Sequence, residues 1–184
     1  CDYHIVYGHI GFPPEPPTEA QIEAYMKKAG ITMGRAAMLQ KRNELSFLVS
    51  MDIWRGRATA GRTEKGGYAR LNYYKTHPGM MAEWIRMESE GWKKLAESVA
   101  SSIPGTSWGV SSLAMPGGQD LPYDAMTFDG FPSWEVLGKG IPVRETWNKV
   151  HPEMDFAAYT ARMTSVISRP RVDIVKLIEI VRGN

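Results

Sequence analysis

The sequence predicts an α+β fold: a complete β-α-β-β-α-β unit over residues 68–184, the split βαβ of a ferredoxin-like sandwich, preceded over residues 1–56 by half of a second such unit. Short runs alternate apolar and polar residues with the period of half-buried strands, and one long stretch repeats its apolar residues at helical spacing. The chain is also similar to itself. Aligning Arg35 with Arg162 brings Arg42 onto Arg169, Leu45 onto Val172, Phe47 onto Ile174, Met51 onto Ile178 and Gly56 onto Gly183. Upstream, Tyr3 falls on Tyr123 and Gly11-Phe12-Pro13 on Gly130-Phe131-Pro132, so two β-α-β segments of one kind flank a linker.

Taken in order, Tyr3 to Ile10 reads as a strand, and the proline-rich loop Gly11 to Pro17 ends it. Thr18 and Gln21 have capping-box spacing, which predicts a helix to about Lys28. A second helical piece follows Gly30 and runs to about Asn43, and Leu45 to Trp54 reads as a strand. Arg55 to Gly67 is polar and carries Gly56, Gly61, Gly66 and Gly67; residues 57–67 are expected to be a linker. Tyr68 to Lys75 is the first strand of the complete unit, and His77-Pro78-Gly79 is a turn. Met81, Trp84, Ile85, Trp92, Leu95 and Val99 then fall on one face of a helix from Met80 to Ser101. Trp108 to Met115 and Tyr123 to Asp129 are strands joined through Pro116 to Pro122. Helix from Val143 to Ser168, interrupted near Pro152, and a strand from Val172 to Val181 complete the unit.

In the usual antiparallel order of such a unit, 4-1-3-2, the strands Tyr3–Ile10 and Leu45–Trp54 cannot pair without a strand from elsewhere. By the repeat, Cys1 matches Leu121, and a segment like Tyr68 to Asp120 is expected before it. An upstream half-unit or a partner chain is therefore the expected partner of residues 1–56.

Composition narrows the function classes. The chain has 184 residues, 43% of them hydrophobic, and its 22 Lys+Arg nearly balance 20 Asp+Glu, so it has the makings of a core and no field that would attract nucleic acid. No run is long and apolar enough to cross a bilayer as a helix. The single Cys1 forms no intrachain disulfide, is a poor nucleophile at a terminus, and as a lipidated end would leave the strand at Tyr3 almost no tether. His4, His9, His77 and His151 lack metal-ligand spacing, and no metal or cofactor is implied. Neither a dinucleotide loop, a phosphate loop nor a nucleophile elbow is present.

At Tyr73 to Trp84 (Tyr-Tyr-Lys-Thr-His-Pro-Gly-Met-Met-Ala-Glu-Trp), Gly91-Trp92-Lys93, Ser107-Trp108-Gly109, Pro116-Gly117-Gly118 and Tyr123-Asp124, the sequence resembles the dimeric α+β barrel superfamily, and within it uncharacterised, mostly secreted bacterial proteins. The resemblance implies two ferredoxin-like sheets facing each other as a barrel, here as a tandem, and an extracytoplasmic location, periplasmic or secreted. It specifies fold far better than chemistry. Haem-degrading members use a helix histidine as axial ligand, and the Met80 to Ser101 helix has none. Cofactor-independent monooxygenases of the superfamily use Asn, Trp and Arg or His around an aromatic substrate, and Asn72, Trp108 and Arg70 match those types.

Alternation sorts the strand residues into faces. Ala69, Leu71 and Tyr73 are expected under helices, leaving Tyr68, Arg70, Asn72 and Tyr74 toward the barrel interior. Asp52 is expected to share that interior, with Glu179 as its repeat equivalent, joined by His9, Thr127 and Asp129 from the third-strand pair. One reading has Arg70, Asn72, Tyr74, His9, Asp52, Trp108, Asp129 and Glu179 binding a small polar or aromatic molecule. The plainer reading has Arg70 paired with Asp129 or Glu179 in a satisfied network. Function is expected to be small-molecule binding or assembly, including a homo-oligomer or larger complex. The alternatives are a cofactor-independent monooxygenase or isomerase acting on an aromatic substrate, and a structural subunit docking through Pro13 to Pro17.

Overall fold

The computed structural model describes residues 18–45, 52–116 and 121–177. They fall in two compact units divided between Met51 and Asp52. The expected strand Tyr3 to Ile10, the proline-rich loop, His9 and Glu179 lie outside the described residues.

In the first unit the capping box forms. The Thr18 hydroxyl accepts from the Gln21 N–H at 3.4 Å and the Gln21 side chain accepts from the Thr18 N–H at 2.8 Å, opening helix α1, Glu19–Lys28. This satisfies donors that every helix start leaves free. Helix α2, Arg35–Leu45, follows, and Arg35 pairs with Glu19 at 2.8 Å.

Among the described residues, the second unit is built on a five-stranded antiparallel sheet. Its strands are β1 (Ile53–Gly61), β2 (Tyr68–Thr76), β3 (Ser107–Met115), β4 (Ala125–Phe131) and β5 (Ile167–Lys176). Their order is β1-β3-β4-β2-β5. The last four in that order are the 4-1-3-2 arrangement expected of a β-α-β-β-α-β unit. The addition is β1, which occupies the edge beside β3 and takes residues expected as linker. Glycine misled the reading there. Gly56 sits at a register shift against Ser111, a bulge, and Gly61 ends the strand at φ +67°. Between them Ala58 and Ala60 point the same way and fill the space under the helices.

The first crossover is helix α3 (Met81–Met87), a π turn over Glu88–Trp92, and helix α4 (Lys93–Ser102). It begins where expected, because Gly79 takes φ +79° in the turn and the Met80 N–H closes on the His77 carbonyl at 2.9 Å. The second crossover contains α5 (Trp134–Lys139), α6 (Val143–Val150) and α7 (Phe156–Thr164). Ser133 and Asp155 cap α5 and α7. Strand β5 starts before the expected Val172, and Pro170 is tolerated because β5 is an edge strand, where a missing N–H breaks no ladder bond.

Trp84 and Met87 of α3 and Ala96 of α4 pack on Ala60, Trp108, Val110 and Ala125 of the sheet. Leu95 and Val99 of α4 join Trp147 of α6 in a second cluster. Trp84 and Trp147 are fully buried, and truncating either to alanine costs about 3–5 kcal/mol.

Candidate functional site: a buried acid beneath a π turn

The register of β2 on β4 places Arg70 opposite Asp129, Asn72 opposite Thr127 and Tyr74 opposite Ala125, and β3 sets Trp108 opposite Asp129 from the other side. Residues opposite one another on antiparallel strands share a face. Arg70 donates from Nε and Nη2 to Asp129 Oδ2 at 3.0 and 2.9 Å. Asn72 Nδ2 donates to the same oxygen at 2.9 Å and to Thr127 Oγ1 at 3.1 Å. Tyr74 packs its ring 6.1 Å from that of Trp84 on α3.

That contact reverses the expected facing. Arg70, Asn72, Tyr74, Trp108 and Asp129 do come together, but on the helix-covered face of the sheet. Ala69, Leu71 and Tyr73 take the opposite face by alternation. The reason lies in the helix: α3 and the π turn carry a carboxyl to the sheet, and a buried carboxyl needs polar neighbours.

Glu88 is that carboxyl. It is only 4% exposed, at the start of the π turn, one helical turn from Trp84 and one from Trp92. Burial pushes its pKa up to about 8, the negative charge of Asp129 adds to the rise, and the Trp84 indole acts weakly against it. The indole N–H leans toward the carboxyl without reaching hydrogen-bond geometry, since Trp84 Nε1 is buried and unpartnered. Asn72 Oδ1 is likewise buried and without a partner. Burial also raises the Tyr74 phenol above its ordinary range, against the pull of its Thr127 hydrogen bond.

The π turn is held from outside by the second crossover. A π turn frees carbonyls that a continuous α-helix would bond. Tyr159 of α7 donates its hydroxyl to the Met87 carbonyl. His151, buried after α6 and packed 4.5 Å from the Trp147 ring, meets the Gly91 carbonyl through Nε2 at 3.0 Å. A carbonyl only accepts, so Nε2 carries the proton. Gly91 has to be glycine, because a Cβ there would lie 2.2 Å from the Tyr159 hydroxyl oxygen. Burial, then the Glu88 charge, raise the Tyr159 phenol. Outside this seam is a cleft of about 290 Å³ whose lining includes Met87, Gly91 and Tyr159 together with the charged Glu83, Arg86, Glu90 and Arg162. Arg86 is already committed to Glu83 at 3.0 Å and Glu90 at 2.9 Å.

Asp52 does not join the cluster. It accepts from the Tyr123 hydroxyl at 2.8 Å, and Tyr123 stacks on Trp54 and meets Tyr73, ring centroids 5.9 and 5.0 Å apart, which places Asp52 with the opposite face. Burial and then the Asp52 carboxylate push the Tyr123 phenol up to about 12. Among the described residues, no three His, Cys, Asp or Glu side chains converge as a metal site. No described helix is long and apolar enough to cross a membrane. Sequence reasoning missed Glu88, although the signal was there: a carboxylate on the apolar stripe between Trp84 and Trp92.

The chain matches no known protein-family profile and no curated protein. A comparison of folds finds a protein of Lactobacillus acidophilus NCFM described as a "putative monooxygenase", at 10% identity and TM-score 0.45. The match covers 80% of this chain and 61% of that one, so this chain spans less than two thirds of its length. The class of the fold, an α+β unit with an antiparallel sheet, follows from the strand order itself.

Proposed function

We propose that the second unit binds a small polar molecule at the cluster of Glu88, Asn72, Trp84 and Asp129. The observation that carries this reading is two buried polar atoms without partners, the acceptor Asn72 Oδ1 on β2 and the donor Trp84 Nε1 on α3, in the unit whose Glu88 carboxyl interacts with Trp84 and Asp129 and has its pKa pushed up to about 8. Buried polar atoms are nearly always hydrogen-bonded, and two orphans beside a neutral acid form a complement for something absent. The test is a heteronuclear NMR screen of a fragment library containing phenols, amides and carboxylic acids. Binders should move the Trp84 indole N–H resonance, and a screen in which no fragment moves it refutes the reading. The resemblance to dimeric α+β barrels adds that the opposite face of the sheet, with Leu71, Tyr73 and Phe128, meets a second sheet from an upstream half-unit or partner chain. Light scattering of the full chain checks that expectation.

A second reading is proton transfer on an aromatic substrate without a cofactor. What favours it is the pairing of a protonated Glu88 with the Asp129 charge, the arrangement that separates an acid from a base. Glu88→Gln would then lower turnover far more than it weakens fragment binding.

A further inference from the structure

Strand β5 ends the sheet, and among the described residues it is paired on one side only, to β2. The register with β2 sorts its side chains. Val172 stands opposite Asn72 and Ile174 opposite Arg70, and these two large apolar residues are left 44% and 49% exposed. Arg171 stands opposite Tyr73 and Asp173 opposite Leu71, on the other face. There Arg171 lies 5.4 Å over the Tyr73 ring and pairs with Asp173 at 2.8 Å, so both charges are held at the rim of the sheet. An edge strand that exposes apolar side chains is a template for another strand, and the charges on it decide which strand can add.

We infer that β5 is a contact between two copies of this chain, joined edge to edge about a two-fold axis at Val172 so that their sheets continue as one. Edge strands related in this way run antiparallel, and residues that face one another lie on the same side of the joint sheet. With the axis at Val172, that residue faces its own copy, Ile174 faces Pro170, and Arg171 faces Asp173 once on each side of the axis. The exposed Val172 and Ile174 are covered on one face, and opposite charges meet on the other. Moving the axis to Arg171 sets two guanidinium groups against each other, and moving it to Asp173 sets two carboxylates against each other. Like charges directly opposite are destabilising. With the axis at Ile174, Arg171 and Asp173 both lose their opposite charge. The edge thus disfavours its neighbouring registers and is complementary to itself in one, which is what singles out a second copy as the strand that adds.

The test is the mass of the full chain in solution, followed by light scattering up to millimolar concentration, with charge reversals in β5. Wild type should reach twice 20.6 kDa. Arg171→Asp and Asp173→Arg should each weaken self-association at least tenfold, because each sets like charges face to face across the axis. Mixed one to one, the two variants should associate with each other at least tenfold more tightly than either does with itself, since every reversed residue then faces an opposite charge on the other chain. Neither variant keeps the Arg171–Asp173 pair within its own strand, so recovery on mixing reads the contact between copies alone. With Cys1→Ser in the background, Val172→Cys should form a disulfide-linked dimer under mild oxidation. Ile174→Cys should not, its two copies lying about 14 Å apart along the strands. Wild type that stays at 20.6 kDa overturns the inference, and so does a dimer that both reversals leave intact, since its contact lies elsewhere. If a reversed variant fails to fold, the two cysteine variants decide, and linkage through Ile174→Cys as readily as through Val172→Cys, or through neither, overturns it.

Discussion

Replacing Glu88 by glutamine keeps the shape of the side chain and removes its titration. In the unfolded chain the carboxyl titrates near 4.5, and in the folded protein near 8. Between those values the folded state holds a proton that the unfolded state has released, so stability falls as pH rises, by about 1.4 kcal/mol per pH unit. The group's contribution is fully present below pH 4.5 and is lost as pH rises through 8. Over that window the loss approaches about 5 kcal/mol, and from pH 5.5 to 7.5 it is about 2.7 kcal/mol. Titrating groups remote from Glu88 are shared by the two proteins and cancel in their difference. Urea denaturation of wild type and Glu88→Gln at the two pH values should therefore show the variant gaining about 2.7 kcal/mol relative to wild type. In melting temperature that is roughly 5–11 °C for a chain of this size. Parallel pH profiles for the two proteins would show that Glu88 is charged or solvated in the fold, and the reasoning about the site would fail.

Asp129→Asn removes the negative charge that helps raise Glu88, so the midpoint of Glu88 should drop below about 8, read from its carboxyl carbon-13 shift; an unchanged midpoint would show the two groups uncoupled. Gly91→Ala forces a methyl against the Tyr159 hydroxyl and, at 3.0 Å, the Trp147 ring; overpacking of this kind costs about 1–3 kcal/mol in denaturant titration. Thr18→Ala removes the α1 cap and should cost about 1 kcal/mol, seen as faster hydrogen exchange across Glu19–Lys28.

The capping box of α1 and the 4-1-3-2 order of the complete unit could be read from the chain because each rests on local chemistry or on connection rules. The continuation of β1 through residues 55–61 could not, since its alternation is carried by Ala58 and Ala60, which look neutral, and is punctuated by Gly56 and Gly61, which look like breaks. The facing of β2 was misread for a related reason. Ala69, Leu71 and Tyr73 are the more apolar set, and apolarity alone assigns them to the helices. The polar set instead faces the helices, where Asn72 bonds Thr127 and Asp129 and the buried Glu88, on a different element, feels the Asp129 charge. Such long-range pairing leaves no trace in the periodicity of either strand. Asp52 was grouped with Arg70 on the same basis, and the Tyr123 hydroxyl, contributed from just before β4, holds it elsewhere.

The π turn also has a consequence for chain length. Its hydrogen bonds span one residue more than those of an α-helix, so removing a single residue, such as Ser89, lets the crossover close into uninterrupted α-helix from Met81 to Ser102. Met87 and Gly91 would then be turned relative to one another by about one residue's rotation, roughly 100°, so the hydroxyl of Tyr159 and the ring of His151 could not both keep their acceptors. A homologous chain that has given up the buried acid should thus be recognisable by a one-residue gap between Trp84 and Lys93, accompanied by changes at the positions of Tyr159 and His151.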